Sequence, residues 1–375
     1  MAFASGDRCF LIALNRVPNV GMAKVRSLLR AYGSLAAAAA VSPEDIAADC
    51  KDIGPVLAQA IVSAFRNGMA EAELARARAG HFRLLTPDEP EWPQALQELE
   101  SPPLCLYCLG DVSLLRQPAV AIIGTRRASV YGMEQARKFA QRLASADVQV
   151  LSGLAEGVDS AAHEGALLAP ASAAGKTIAV IGAALDRVYP ESRKPLAQEI
   201  VARGGLLVSE YAFGRHADKQ TFPQRNRIVA ALSRQVLVAE TAERGGTMIT
   251  VGFARRLGRA IYAFPGRLDW PSFAGNHALI ASGAARLALS PEQMLDALDG
   301  LFSKIAPNTP GESVLPAGLS EDEAQIYEAV GTEGVSLDEL CRKTGLPMPQ
   351  VMTLTIGLQM RRRLRPLPGG LVRRV

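Results

Sequence analysis

The central part of the chain alternates between short apolar runs and longer segments of helical periodicity. Between residues 104 and 298 the apolar runs are continuous, without the alternation of polar and apolar positions that marks a half-solvated strand. Such runs are typical of strands that are buried on both faces. The pattern predicts an α/β fold with an extended Rossmann-like, doubly wound and mostly parallel sheet. The predicted strands are Ala119–Ile123, Gln149–Ser152, Thr177–Ile181, Leu206–Val208, Gln235–Ala239 and Ala260–Ala263, with helices at 132–146 and 159–168 among those between them.

The first 80 residues predict a helical domain. Two helix–turn–helix patterns occur there, with turns at residues 17–21 and 53–55 that contain proline and glycine. They resemble SAM-like or helix-hairpin-helix modules, in which the turn presents backbone N–H groups to a nucleic-acid phosphate. A plain helical bundle whose glycines only end helices explains the pattern equally well.

The C-terminal residues predict a small winged helix-turn-helix. A segment rich in proline and glycine precedes three short helical patterns, of which the first begins with the capping box Ser320-Glu-Asp-Glu323. The last, from Pro347 to Leu364, is the helix that could enter a major groove, and the tail after it could form a hairpin. The predicted domains are therefore 1–80 (helical), 81–300 (Rossmann-like), 301–318 (linker) and 319–375 (winged helix).

Composition and charge narrow the protein's class. The chain has 375 residues, of which 49% are hydrophobic, and it contains no apolar run of 18 residues. No signal peptide is recognisable, so we expect a cytoplasmic protein without membrane contact. The net charge of +4 is unevenly distributed, because residues 341–375 contain eight Arg or Lys and no acidic residue. Cys105 and Cys108 lie in an apolar run and are expected to be core thiols, since no second ligand pair for zinc is near in the sequence. We expect no metal and no cofactor.

Several predicted strands run into turns that contain glycine, hydroxyl and basic residues. Gly124-Thr-Arg-Arg127 follows the first central strand, a small-residue turn with Gly153 follows the second, and Arg244-Gly-Gly-Thr247 follows a later one. Helices come after these turns, so backbone N–H groups at the helix starts are free to hold an anion. Because the carboxyl ends of parallel strands share one edge of the sheet, we expect these turns to meet there.

A second basic segment lies between the predicted strands at 206 and 235. Lys219 precedes Thr221-Phe-Pro-Gln-Arg-Asn-Arg-Ile228, where Arg225 and Arg227 flank Asn226. Arginine binds phosphate through two parallel hydrogen bonds, and Phe222 could stack on an unpaired base. The alternatives are a solvated basic face for the arginines and a core position for Phe222. Several phosphate sites in a row suit a polynucleotide better than a mononucleotide.

Other motifs do not predict an enzyme. Gly175-Lys176 lacks the first glycine of a phosphate-binding P-loop and precedes a strand, and the next glycine after Gly124 is Gly132, so a dinucleotide motif is missing. His163 lies one helical turn after Asp159, an arrangement expected for an exposed pair. The sequence shows no catalytic constellation.

Six motifs, in order, resemble the DNA-processing protein A (DprA/Smf) family. They are Gly124-Thr-Arg-Arg-Ala-Ser, Ser152-Gly-Leu-Ala-Glu-Gly-Val-Asp, Val188-Tyr-Pro190, Ser209-Glu-Tyr211, Phe222-Pro-Gln-Arg-Asn-Arg227 and Gly245-Gly-Thr-Met-Ile-Thr250. The resemblance covers about residues 85–290. It implies single-stranded DNA binding without sequence preference, loading of RecA recombinase in natural transformation, and a homodimer formed through the Rossmann-like domain.

The resemblance also assigns roles to individual residues. It implies that Arg126 holds a phosphate, that Lys219 and Phe222 grip backbone and base, and that Gly245, Gly246 and Thr247 form a second phosphate loop. Thr125 stands where many members have serine, and the stretch 170–175 resembles a small insertion. The predicted DNA-binding residues are Gly124, Thr125, Arg126, Arg127, Gly153, Lys219, Phe222, Arg225, Asn226, Arg227, Gly245, Gly246 and Thr247.

Two other functions remain open from the sequence. A nucleoside-monophosphate phosphoribohydrolase shares such a sheet and a related glycine loop, but its catalytic glutamate has no counterpart after Gly245-Gly-Thr247. A transcription regulator would use the C-terminal helix-turn-helix to read duplex DNA, with the sheet domain sensing a nucleotide.

Overall fold

The structure, a computed structural model, describes residues 6–305, 319–330, 334–360, 364–367 and 371–374. The chain divides into two units, residues 1–303 and 304–375, and each is described by itself. The predicted linker at 301–318 lies largely outside the described residues. The domain boundary predicted near residue 80 falls inside the first unit and stays a prediction.

Six helices form the N-terminal part of the first unit. Serines begin two of them, since the Ser34 Oγ accepts from the Ala37 N–H and the Ser42 Oγ accepts from the Asp45 N–H, both at 3.1 Å. The apolar faces of the first five share a core that includes Leu28, whereas the sixth packs in a separate cluster with strands of the sheet. The helices are α1 (Arg8–Leu14), α2 (Met22–Tyr32), α3 (Leu35–Ala40), α4 (Pro43–Asp49), α5 (Pro55–Arg66) and α6 (Met69–Ala79).

A nine-stranded sheet forms the centre of the first unit. Its spatial order is β1-β2-β6-β5-β4-β3-β7-β8-β9, parallel from β6 to β9 and antiparallel at β1 and β2. The order reverses direction between β3 and β7, which is the topological switch point of the sheet. The strands are β1 (Arg83–Leu85), β2 (Leu106–Gly110), β3 (Ala119–Ile123), β4 (Gln149–Ser152), β5 (Thr177–Val180), β6 (Leu206–Ser209), β7 (Gln235–Val238), β8 (Ala260–Ala263) and β9 (Arg286–Leu287).

Helices cover both faces of this sheet. Along β3, Ala121 and Ile123 pack into one apolar cluster while Val120 and Ile122 pack into the other. Successive residues of a strand point to opposite faces, so a run without polar positions fits only a sheet covered on both sides. The predicted doubly wound α/β class is confirmed. The helices are α7 (Val130–Ala144), α8 (Val158–Leu167), α9 (Lys194–Ala202), α10 (Thr221–Leu232), α11 (Gly246–Arg256), α12 (Ala274–Ala281) and α13 (Pro291–Ile305).

The second unit has the predicted winged-helix arrangement. The capping box is present, because the Ser320 Oγ accepts from the Glu323 N–H and the Glu323 carboxylate accepts from the Ser320 N–H. The predicted hairpin exists as an antiparallel strand pair after the last helix. The elements are α14 (Glu321–Ala329), β10 (Val335–Ser336), α15 (Leu337–Thr344), α16 (Met348–Met360), β11 (Leu364–Leu367) and β12 (Leu371–Arg374).

Cys105 and Cys108 are core thiols, as the sequence predicts. Both are fully buried and free, and burial raises the pKa of each thiol. In the part of the chain that the structure describes, no helix combines the length and apolar character that crossing a bilayer requires.

Candidate nucleic-acid interface

An open cleft of about 670 Å³ lies beyond the carboxyl ends of β3, β4 and β7. This is the switch point of the sheet, where ligands of doubly wound folds bind. Turns from four parts of the chain line it, so the cleft is assembled from segments that are distant in sequence.

The turn after β3 is held by a buried carboxylate. The Thr125 N–H donates to the Glu240 carbonyl at 2.8 Å, and the Glu240 Oε2 accepts from the Ser129 N–H (2.9 Å) and hydroxyl (2.6 Å). Glu240 is only 1% exposed. Its hydrogen bonds fix the turn from beneath, while the side chains of Arg126 and Arg127 are left in solvent.

Glycines allow the neighbouring turns to approach closely. Gly157 has a φ of +76°, and a Cβ there would lie 2.5 Å from the Thr125 carbonyl oxygen and 2.6 Å from that of Arg126. A side chain at Gly157 would therefore separate the turns after β3 and β4.

Phe222, in the first turn of α10, contacts both a cation and a second ring. The Arg126 guanidinium lies 4.7 Å from the centre of the Phe222 ring, within cation–π range. The Tyr189 ring lies 5.9 Å from the Phe222 ring and is half exposed. Phe222 itself is half-buried, so part of its side chain remains accessible to solvent.

Arg225 lies beneath the cleft and is not on its rim. Its side chain is 5% exposed, and its Nη1 donates to the carbonyls of Gly153 and Val180. Burial raises the pKa of Asp159 and lowers the pKa of Arg225, and the attraction between these two residues opposes both shifts. A Cβ at Gly153 would meet the guanidinium at 2.5 Å. Arg225 therefore joins the ends of β4 and β5 as a structural cation.

The glycine loop before α11 forms the opposite wall. Gly245 has a φ of +151°, and α11 begins at Gly246 directly on the cleft. The first N–H groups of a helix have no partner within it and favour an anion. The Asn226 Nδ2 donates to the Gly246 carbonyl at 3.2 Å and ties this loop to α10.

The charges of the cleft are strongly unbalanced. Its lining contains five cationic residues and one carboxylate, that of Asp159. None of the five makes a salt bridge with a residue that the structure describes, and four of them have exposed side chains. Uncompensated cations in a concave site attract polyanions. The four are Arg126, Arg127, Lys219 and Arg244.

Comparison with known proteins assigns the family. Residues 83–299 match the family described as DNA recombination-mediator protein A. The chain belongs to this family. Residues 310–370 match the DprA winged helix domain, and residues 11–67 match a SAM-like helix-hairpin-helix tandem.

Individual relatives of the DNA recombination-mediator protein A family cover most of the chain. The protein Smf of Synechocystis is 30% identical across 98% of both chains. The crystal structure of DNA processing protein A from Streptococcus pneumoniae superposes with a TM-score of 0.65 and 30% identity, covering 79% of this chain and 98% of that one. The DNA processing protein A of Helicobacter pylori, described for its single-stranded DNA binding mode, matches with a TM-score of 0.53 and 33% identity. That match covers 58% of this chain and 96% of that one.

The structure places most of the predicted residues of this family member together. Twelve of the thirteen line the cleft; whether they contact DNA stays a prediction. Arg227 is the exception, because it is ion-paired with Glu210 and both side chains are largely buried away from the cleft. Arg225 lines the cleft only as part of its floor. Neither arginine therefore projects from the rim of the cleft, and DNA binding by Arg225 and Arg227 stays a prediction.

Two further residues differ from what the sequence suggested. Tyr189 is not among the residues predicted from the sequence, although it belongs to the motif Val188-Tyr-Pro190. Its ring lies beside that of Phe222 in the structure.

His163 is fully buried, whereas the sequence predicted an exposed residue. Its Nδ1 lies 2.7 Å from the Thr177 hydroxyl oxygen. That hydroxyl donates to the Val150 carbonyl, so His163 donates through Nδ1. Burial lowers the pKa of His163 to about 3, which keeps it neutral.

Proposed function

We propose that this protein binds single-stranded DNA without sequence preference in the cleft beyond β3, β4 and β7, and that it delivers the bound strand to RecA recombinase in natural transformation. The observation that carries the proposal is the joint presence, in one open cleft, of four uncompensated cations and the half-buried ring of Phe222, beside which the exposed ring of Tyr189 lies. Cations hold a phosphate backbone of any sequence, and aromatic rings stack on any unpaired base.

Each wall of the cleft has a distinct role in this proposal. Arg126 and Lys219 bind phosphates, and Phe222 with Tyr189 receives a base. Asn226 and the buried Arg225 position these walls. The turns supply further phosphate contacts through backbone N–H groups and short side chains, from Gly124, Thr125, Arg127, Gly153, Gly245, Gly246 and Thr247.

The comparisons support the nucleic-acid part of this proposal. The relative from Helicobacter pylori described as binding single-stranded DNA corresponds to 58% of this chain, and the family match covers the sheet that bears the cleft. We extend single-stranded DNA binding to this chain on that basis. RecA delivery, a homodimer formed through the sheet domain and a cytoplasmic location belong to the same proposal and come from the family resemblance.

We propose a binding protein and not an enzyme. A phosphoribohydrolase needs a carboxylate directed at the sugar, whereas the carboxylate in the cleft lining, that of Asp159, is buried beside Arg225. Among the described residues, no cluster of three or more histidine, cysteine, aspartate and glutamate side chains could hold a metal ion. Release of free base from AMP by the purified protein would restore the enzymatic alternative.

The C-terminal unit does not favour a regulator that reads duplex DNA. Helix α16 contains no charged residue over its 13 positions, and Met352 and Ile356 are its exposed apolar side chains. Binding of a helix in the major groove also depends on cations that contact phosphates, and α16 itself supplies none. Sequence-selective binding of a duplex would support this alternative.

A salt-dependent titration tests the proposed function. The full chain is titrated with oligo-dT, with duplex DNA and with single-stranded RNA of equal length. We expect oligo-dT to bind more tightly than the duplex, and its log affinity to fall with log salt at a slope of roughly −3 if four phosphates are held. Equal affinity for duplex and single strand, or affinity that does not depend on salt, would contradict the proposal.

Removal of residues 305–375 is expected to leave most single-strand affinity intact. The four uncompensated cations and the aromatic pair all lie in the first unit, which has its own apolar cores. We expect a change of less than about threefold in affinity for oligo-dT, with the same salt slope. Complete loss of binding would show that the basic tail, not the cleft, is the main site.

A further inference from the structure

The segment that brings Lys219 to the cleft has no regular structure of its own. It is the 11-residue loop 210–220 between β6 and α10, and Phe222 follows directly in the first turn of α10. Ordering such a loop costs conformational entropy, which must be offset by contacts in the free protein or during binding. Several of the contacts that hold this loop come from the N-terminal helical part of the chain.

Glu73 of α6 is the centre of these contacts. It is 1% exposed, and its Oε1 accepts from the Phe213 N–H and the Tyr107 hydroxyl, both at 2.8 Å. Its Oε2 accepts from the guanidinium of Arg16, in the turn after α1, at 2.7 Å. One buried carboxylate thus joins α6, the turn after α1, strand β2 and the backbone of the loop.

A second anchor lies one helical turn further along α6. Arg76 pairs with Asp186 at 2.9 Å, and the Asp186 Oδ1 accepts from the Gly214 N–H at 2.9 Å. The Arg76 guanidinium also lies 5.1 Å from the centre of the Phe213 ring. Helix α6 therefore holds the N–H group and the ring of Phe213 directly, and it holds the Gly214 N–H through Asp186.

Hydrogen bonds also hold the two ends of the loop, the second of which lies at the cleft. Asn15, at the end of α1, donates through its side chain to the Glu210 carbonyl at 2.9 Å at the start of the loop. At its end, the Asp218 Oδ1 accepts from the N–H groups of Gln220 (2.8 Å) and Thr221 (2.9 Å). Lys219 lies between these last contacts, so its position depends on a loop that is fixed at both ends and in the middle.

We propose that helix α6 and the turn after α1 hold the loop 210–220 in its DNA-binding conformation, and that Glu73 is the positioning residue for Lys219. Glu73 does not line the cleft and acts only through the loop. The N-terminal helical part is thus a support for the single-strand site, whatever else it binds. This inference rests on the proposed function, because it assigns a role in the same site.

The first test measures the loop without DNA. Hydrogen exchange of the 210–220 amides is followed in the full-length parent, in Glu73→Gln and in the control Glu91→Gln. Glu91 pairs with Arg83 at 3.1 Å and does not contact the loop, so its variant removes a carboxylate without touching the support. We expect faster exchange at Phe213 and Gly214 in Glu73→Gln only. Unchanged exchange in Glu73→Gln would overturn the inference.

The second test measures oligo-dT binding by the same proteins. We expect Glu73→Gln to weaken affinity by about tenfold with the salt slope unchanged, since the loop must be reordered but every phosphate contact still forms. Lys219→Ala should instead reduce the magnitude of the slope. In the Lys219→Ala background, Glu73→Gln should cost much less than tenfold, because the contact that it positions is gone. Additive effects, or a loss no larger than that of Glu91→Gln, would contradict the positioning role.

A third variant covers the case in which Glu73→Gln fails to fold. Arg76→Ala removes a half-exposed side chain, so the fold should persist. We expect faster exchange at Phe213 and Gly214 and weaker affinity for oligo-dT, both to a smaller extent than in Glu73→Gln. If the parent itself shows no salt-dependent oligo-dT binding, the proposed function fails, while the exchange measurement still decides whether the helices order the loop. Normal exchange and affinity in both Glu73→Gln and Arg76→Ala would refute the inference.

Discussion

Replacing Arg126 and Lys219 together by alanine is expected to weaken oligo-dT binding by about 100-fold or more. Each charge-assisted hydrogen bond contributes on the order of 1.5–3 kcal/mol, and about 1.4 kcal/mol corresponds to a factor of ten. The magnitude of the salt slope should also fall by about 1.4, because two phosphates are no longer neutralised. Arg126 additionally holds the Phe222 ring at 4.7 Å, so its removal also loosens the aromatic contact. The measurement is fluorescence anisotropy of labelled oligo-dT at several salt concentrations.

The matched control for this prediction removes the same charge elsewhere. Arg116 and Lys138 are exposed, do not line the cleft and form no ion pair with any residue in the described ranges. We expect Arg116→Ala/Lys138→Ala to change affinity less than threefold, with only a small change in slope, since exposed distant charges are screened at about 0.1 M salt. Equal losses in the two double variants would indicate a diffuse electrostatic effect and no specific cleft.

The central strands and the position of the cleft could be predicted from the sequence. Continuous apolar runs such as Ala119–Ile123 fit only strands covered on both faces, and the polar turns that follow them must then share one edge. The edge strands β1 and β9 were not predicted because they contain three and two residues. Runs of that length carry no measurable periodicity.

The direction of individual side chains could not be predicted. Arg225 and Arg227 are two residues apart on α10, and such residues point to nearly opposite sides of a helix. One therefore lies under the cleft and the other pairs with Glu210. The sequence identified both arginines as candidate DNA-binding residues, but it did not determine which face of α10 packs against the sheet.

Contacts between residues that are far apart in the chain also could not be predicted from the sequence. Glu73 and Phe213 are separated by 140 residues, and a single glutamate in a helix normally indicates a solvated face. Only the packing of α6 against the edge of the sheet turns this glutamate into a buried acceptor of three hydrogen bonds. The same reason explains His163, whose burial depends on the packing of α8 against the sheet.

Arg225→Met is expected to destabilise the first unit by about 3–5 kcal/mol at pH 8, the usual cost of leaving a buried charge uncompensated. The variant removes the hydrogen bonds to the Gly153 and Val180 carbonyls and leaves the Asp159 carboxylate buried without its cation. Urea unfolding followed by tryptophan fluorescence measures this unit alone, since Trp92 and Trp270 both lie in it. The neighbouring Arg227→Met should lower the free energy of unfolding by a smaller amount, because its partner Glu210 keeps some contact with solvent.

The pH dependence identifies Asp159 as the source of this loss. Burial already raises the pKa of Asp159 in the parent, and removal of Arg225 takes away the interaction that lowers it, so the pKa should rise further in the variant. A carboxyl whose pKa is higher in the folded than in the unfolded state favours folding as the pH falls, because the folded state then binds the extra proton. The stability deficit of Arg225→Met should therefore shrink between pH 8 and pH 5. Arg225→Met/Asp159→Asn should recover part of the loss and show no such difference between the two pH values. A deficit that stays constant with pH and is not relieved by Asp159→Asn would assign the loss to the two carbonyl hydrogen bonds instead of the buried charge.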